Sequence, residues 1–322
     1  MRNSSGGPGG PGGFGREPSP ELEALRNAIE NKAPGKDVAD DDLVNKFPLV
    51  ARKYPGHRSR FSVAGVEFGG ELIPVFAGPN MVESRELIVE TAKAVKGAGA
   101  QFLRGGAFKP LSFPYRSAKY NETREEGIRW LQAAKEATGI AVITEVMEER
   151  FIPMIAEVAD ILQIGARNMQ NYPFLTACAK TGKPIMLKRH FGASLRDWLG
   201  AAEYILVEGN EKLILCERGV VAPHTHRATS RFLLDLQVVP AAQEVTHLPV
   251  VVDPSHATFW RPWVAPMALA SVAAGADGIM IEVHPDPPNA AVDPLQPVDY
   301  AEFAGLMDRM DKVAHAVGRR VR

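Results

Sequence analysis

Cysteine is nearly absent: the 322-residue chain carries two, Cys178 and Cys216, with no C-x-x-C spacing and each in an apolar stretch. That excludes a disulfide framework and a cysteine-rich zinc module, and with no secretory-type apolar segment upstream it favours a reduced, cytoplasmic setting. Net charge is nearly absent too, because 37 Lys and Arg face 38 Asp and Glu for a formal charge of −1. Non-specific attraction to nucleic acid or to an anionic membrane therefore has no electrostatic drive, and any basic site must be local. No apolar run reaches the ~18 residues of a membrane-spanning helix. What remains is a composition of 45% hydrophobic and 23% charged residues, that of a soluble globular protein able to bury one large core.

Residues 1–18, MRNSSGGPGGPGGFGREP, are rich in Gly, Pro and Ser and have no apolar periodicity, so they read as a disordered tail. In residues 19–70, ELEALRNAIENK predicts a short amphipathic helix over 21–32 that ends before Pro34-Gly35, followed by a lead-in segment. From residue 71 to 322, eight short apolar runs alternate with helical patterns. The strands are expected at 72–77, 101–104, 141–145, 160–164, 184–188, 213–217, 248–252 and 277–282. Helices are expected near 84–97, 123–137, 149–158, 171–181, 194–207, 230–244, 262–274 and 298–317. Runs such as LPVVV and GIMIE do not alternate polar with apolar, which is how strands covered on both faces read. Eight such units predict an α/β fold, a TIM (β/α)₈ barrel; a doubly wound open sheet is the alternative, since strand order is invisible in sequence.

A barrel of this kind carries its chemistry at the C-terminal ends of its strands, and there the sequence turns polar: AGPN, RGGAFKP, TEV, GARN, LKR, CERG, DPSHAT and EVHPDP. Arg104, Lys109, Arg167, Lys188 with Arg189, and Arg218 would converge on one mouth. So many like charges at the tops of buried strands point to a small ligand with phosphate and carboxylate groups. The alternative is that each cation pairs with a nearby acid such as Glu145 or Glu217. A second group, His256, Glu282 and Asp293 with Asn80 across the barrel, is a candidate site for Mn²⁺, Fe²⁺ or Mg²⁺.

Taken in order, GGAFKP, TEVM, DILQIGARNMQN, GKPIMLKR, ILCERG, LPVVVDPSHAT and GADGIMIEVHPDP resemble 3-deoxy-D-arabino-heptulosonate 7-phosphate (DAHP) synthases of the shorter type Iβ branch. That branch is itself similar to the 3-deoxy-D-manno-octulosonate 8-phosphate synthases. The resemblance runs from about residue 46 to the C-terminus. It implies a barrel that joins phosphoenolpyruvate (PEP) to a phosphorylated aldose, erythrose 4-phosphate first, with release of phosphate. It also implies that Arg104, Lys109, Ala166 through its N–H, Arg167, Lys188 and Arg218 bind PEP. Lys109, Glu145 and His256 would act in the chemistry, and His256, Glu282 and Asp293 would be three of four metal ligands. A homo-oligomer, tetramer or dimer, is usual among such relatives.

The chain departs from that pattern in three places. Asn80 stands where the family has Cys, replacing a thiolate by a neutral amide oxygen, so metal-independent or weakly metal-activated turnover is the favoured reading. Leu111-Ser112 stands where the family has Arg-Thr against the acceptor phosphate. The stretch CERGVVAPHTHRATSR is about three residues longer than the family's, with Val221 for an Arg and with His224, His226 and Arg227 added. Arg116, Arg227 or Arg231, with Ser112, would then hold the acceptor, or the acceptor differs. The rival readings are a synthase of specialised metabolism using another aldehyde and a non-catalytic PEP or sugar-phosphate sensor. The region before residue 46 is too short and too rich in Gly and Pro for a ferredoxin-like regulatory domain, so feedback control by that route is not expected.

Overall fold

Eight short strands that are apolar along their length can be buried on both faces when the strands close on themselves and helices cover the outside. The chain does this in the computed structural model, which describes residues 46–109, 122–224, 226–227 and 232–322. The N-terminal tail and the helix expected at 21–32 lie outside the described residues. The first strands form a hairpin, β1 (Phe61–Val63) and β2 (Val66–Phe68), turned by Ala64 and Gly65 at φ of 50° and 81°. Two successive positive φ values are what the tight hairpin turn requires.

The barrel strands follow: β3 (Val75–Gly78), β4 (Phe102–Arg104), β5 (Ala141–Val146), β6 (Ile161–Ile164), β7 (Ile185–Lys188) and β8 (Leu213–Glu217). Beyond β8 a two-stranded ribbon intervenes, β9 (Val220–Val221) with β10 (Phe232–Leu233), and then β11 (Val250–Val252) and β12 (Gly278–Glu282) complete the barrel. Every barrel pair is parallel, and β12 closes on β3 with Glu282 opposite Gly78. All eight expected strands are present, which removes the open-sheet alternative.

The helices lie between the strands as expected, with one correction. The helix predicted over 230–244 starts only at Val238, because Phe232 and Leu233 are drawn into the ribbon with Val220 and Val221. Asp235 marks the switch, its Oδ1 accepting from Val238 N at 3.2 Å.

Alternation along the strands sorts the interior into layers. At the bottom, Phe76 and Phe102 stack at 4.8 Å, and Phe68 of the hairpin seals them from below at 6.1 and 5.7 Å. Ile143, Ile161, Met186, Ile214, Val251 and Met280 continue this apolar layer. One inward step higher, the same strands present Arg104, Glu145, Gln163, Lys188, Cys216, Asp253 and Glu282. The site is therefore the top layer of an otherwise apolar core.

Candidate active site

Three cations are sunk into this layer: Arg104, Lys109 and Lys188 are 3%, 8% and 4% exposed. Buried charge needs partners, and the structure supplies them. Asn80 Oδ1 accepts from Lys109 Nζ at 2.6 Å and from Arg104 Nη2 at 2.7 Å, while Asn80 Nδ2 donates to Asp293 Oδ2 at 2.9 Å. Asp293 takes a positive φ of 53°, a conformation Asp tolerates, where Asn80 can reach it. Lys109 Nζ stands 3.8 Å from Glu145 Oε2, which accepts from Gln163 at 3.3 Å. Across the mouth, Lys188 Nζ donates to Asp253 Oδ2 at 2.5 Å.

Asp253 joins two functions. Its Oδ1 caps the short helix Pro254–Thr258 by accepting from His256 N at 3.1 Å, and its Oδ2 lies 2.8 Å from His256 Nδ1. The other imidazole nitrogen, Nε2, is 3.4 Å from Arg104 Nη2 and 3.7 Å from Glu282 Oε2. Glu282 in turn accepts from Gln296 Nε2 at 2.5 Å and from nothing closer on the Arg104 side than Nη1 at 3.9 Å. One continuous network thus runs from Asp293 through Asn80, Arg104 and His256 to Asp253 and Lys188.

Burial sets the protonation states. Burial pushes the Glu282 carboxyl up to about 8, against the pull of Arg104. Burial pushes Lys109 down to about 8, opposed by Glu145. Burial between Lys188 and Arg104 also holds the His256 imidazole well below its ordinary range, although Asp253 pulls the other way. For Asp253 burial works against the charge, but His256 and Lys188 outweigh it and hold the carboxyl well below the usual range. Lys188, which donates to the same carboxylate, balances the Asp253 anion.

Two glycines make room for this layer. A Cβ at Gly165 would stand 2.0 Å from Glu145 Oε1, and Gly78, at φ 148°, passes 2.1 Å from Arg104 O if given one. The Ala166–Asn168 turn follows Gly165 and puts Arg167 at the exposed rim. Burial and then the charges of Arg218 and Arg167 push the His190 imidazole down. Arg218 Cζ lies 4.4 Å over the Phe232 ring of the ribbon.

Arg189 is a correction. It does not face the mouth: one residue out of phase with Lys188, it turns away to Glu217 at 3.1 Å and Asp235 at 2.7 Å, the structural pairing that the alternative reading described. Arg227 lies flat on Trp260 at 3.6 Å. Leu111, Ser112, Arg116 and Arg231 fall outside the described residues. Sequence reasoning missed Asp253, Gln163 and Gln296. Asp253 had a signal, since it lies two residues beyond inward-facing Val251 inside the quoted DPSHAT.

The proposed metal ligands require a separate test. Asn80 Oδ1 is occupied by two cations, and among the described residues no three His, Cys, Asp or Glu side chains converge on a common point. As placed, His256, Glu282, Asp293 and Asn80 do not fit a divalent ion.

Residues 57–317 match the model of the DAHP synthetase I family. The chain belongs to that family. It is 39% identical over 279 residues, 87% of this chain and 81% of the relative, to a phospho-2-dehydro-3-deoxyheptonate aldolase of Thermotoga maritima. A 2-dehydro-3-deoxyphosphooctonate aldolase of Methylococcus capsulatus is 31% identical, over 72% of this chain and 86% of the relative. The solved structure of a truncated 3-deoxy-D-arabino-heptulosonate 7-phosphate synthase from Thermotoga maritima superposes with a TM-score of 0.78 at 39% identity. It covers 86% of this chain and 100% of that one. Family membership thus agrees with the barrel and with the resemblance read from the strand ends. No described helix is long and apolar enough to cross a membrane.

Proposed function

We propose that this member of the DAHP synthetase I family condenses PEP with an aldose phosphate, erythrose 4-phosphate first, to give a 3-deoxy-2-ketoaldonate phosphate and inorganic phosphate. The observation that carries this reading is the buried cation set Arg104, Lys109 and Lys188 in one mouth, with Arg167 and Arg218 just beyond the ends of β6 and β8. A trianion with a phosphate and a carboxylate suits forked guanidiniums backed by a buried ammonium.

In this reading Arg104, Arg167, Lys188 and Arg218, with the N–H of Ala166, hold the two anionic ends of PEP and leave C3 toward the aldehyde. Lys109 polarises the aldehyde oxygen, so the negative charge that grows there as the C–C bond forms meets a cation already in place. Water adds at C2, with its proton taken by Glu145 or by neutral His256. The resulting hemiketal phosphate expels phosphate, and the C2 oxygen becomes the keto group. Arg227 remains the described candidate for the acceptor end.

We further propose that turnover does not need a divalent ion. Asn80, engaged by Lys109 and Arg104, sets the two cations that would otherwise share their work with a metal. A single experiment tests both statements: chelator-treated protein is given PEP with erythrose 4-phosphate, arabinose 5-phosphate, ribose 5-phosphate or unphosphorylated aldehydes, and phosphate release is followed with and without Mn²⁺. Release with erythrose 4-phosphate in both arms is expected. Dependence on Mn²⁺ would overturn the second proposal alone, and PEP binding without release on any aldehyde would turn the reading to a sensor. The exposed Tyr172–Tyr204 stack at 4.3 Å, beside exposed Val207, supports self-association of the chain, which sedimentation would test.

A further inference from the structure

At the opposite end of the barrel lies a cavity of about 630 Å³ that the mouth does not use. It sits where strands β7 and β8 begin: Lys180 is on the turn before β7, Lys212 immediately precedes β8, and the lead-in residues Lys53 and Arg60 close the other side. None of these four cations forms an ion pair with a described residue, in contrast to the cations of the mouth. Against them stand Glu208 and Glu211, so two positive charges are left over.

Two imidazoles complete the lining, with ring centroids 4.4 Å apart. His247 Nε2 lies 2.7 Å from Leu49 O, and a carbonyl can only accept, so this nitrogen carries the proton. Its Nδ1 lies 2.6 Å from Ser59 Oγ, and burial pushes the imidazole down, which favours the neutral ring. His57 Nδ1 accepts from Lys53 N at 3.3 Å, which leaves its Nε2 as a donor. The cavity therefore offers unpaired cations and a ring N–H, and its leftover charge matches an anion of two or more negative charges.

We propose that this cavity is a second anion site, separate from the mouth, for a small organic or inorganic polyanion with at least two carboxylate or phosphate groups. Like charges gathered around an open volume repel one another, and a bound polyanion relieves that repulsion while satisfying donors that otherwise face water. The site does not depend on the reading of the mouth as a PEP site. It does share a strand with it: Gly182 of the cavity lining precedes β7, and Lys188 of the mouth ends it.

The test is calorimetric titration of the full chain, saturated with PEP, using inorganic pyrophosphate in one arm and citrate in the other. One further binding event is expected, and the arm that binds tighter tells phosphate from carboxylate chemistry. In the double variant Lys180→Glu/Lys212→Glu that event should weaken at least about tenfold, with PEP affinity within about twofold of the parent as the check on folding. No heat beyond dilution in either arm, or binding that the double variant leaves unchanged, would overturn the proposal. The sequence holds an acidic run, Asp37, Asp40, Asp41 and Asp42, shortly before the described chain begins. Binding that appears only when these four are changed to Asn would give the cavity to the chain itself and overturn the free-ligand assignment.

Discussion

The two ends of this barrel are built by one rule and do opposite things. Along each strand the inward residues alternate with outward ones, so Phe102 and Arg104, Met186 and Lys188, or Met280 and Glu282 differ only by one step up the axis. The lower step is an aromatic and aliphatic plug, closed by Phe68 and wholly removed from water, which stabilises the fold. The upper step buries Arg104, Lys109, Lys188, Asp253 and Glu282, whose desolvation their mutual attraction only partly offsets. Stability and chemistry are thus separated along the barrel axis rather than mixed within it.

The strongest way to break this comparison is at Lys188. Changing it to Met should lower kcat/KM for PEP by about 10²–10³-fold, since it removes a preorganised charge at the site of reaction. The same change strands the Asp253 anion, 0% exposed, and should cost about 3–5 kcal/mol in chemical denaturation. Adding Asp253→Asn removes the stranded charge while keeping the oxygen that caps the 254–258 helix. The double variant should regain most of the stability and none of the activity. If activity returned with stability, Lys188 would be a structural residue and the top layer would have no separate role.

Phe68→Ala probes the other end. Truncating a fully buried ring in the plug should cost about 3–5 kcal/mol in denaturant unfolding. Phosphate release at a temperature where the variant is folded should keep kcat and KM within about twofold, because the layer of Phe76, Phe102, Met186 and Met280 stands between Phe68 and the mouth. A matching fall in kcat would show the two ends to be mechanically coupled.

A smaller effect is expected at the rim. Phe232 directly follows the segment that is longer than in the family pattern, and its ring carries the Arg218 guanidinium at 4.4 Å. Phe232→Leu keeps the apolar bulk and removes the ring face, worth about 0.5–2 kcal/mol, so KM for PEP should rise about 2- to 30-fold with kcat unchanged. Phe232→Tyr should restore it. A change in kcat with KM constant would instead place the ribbon at the acceptor.

How much of this could be read beforehand follows from the same two-step rule. The strands were legible because burial on both faces leaves continuous apolar runs, and Arg104, Lys188 and Glu282 because each is the charged residue that ends such a run. Arg189 was misplaced because a neighbour of Lys188 in sequence is on the opposite face of a strand, and parity decides between them. The ribbon Val220–Val221 with Phe232–Leu233 was hidden by its brevity: two residues on each side make no periodic signal, and the apolar pattern of Phe232 to Val238 reads equally well as helix. Gln296 and Gln163 were missed because an amide gains its meaning only from the carboxylate it faces.

The two cysteines give the mildest test, and the one that probes the boundary between the layers. Cys216 is inward-facing, between the apolar layer at Ile214 and Arg218 above, whereas Cys178 is buried on the outer helix Tyr172–Ala179. Burial pushes both thiols up to about 12, in Cys216 despite the pull of Lys188 and Arg218, so neither is a thiolate at neutral pH. A chromogenic disulfide reagent at mildly alkaline pH should leave the native protein almost unlabelled and react with two thiols per chain after unfolding. Under partly destabilising conditions Cys178 should react first, because a helix of the outer shell opens locally at lower cost than a closed barrel does. Equal rates would mean that the barrel opens as readily as its shell, and the sealed lower layer would then not be what holds the mouth in place.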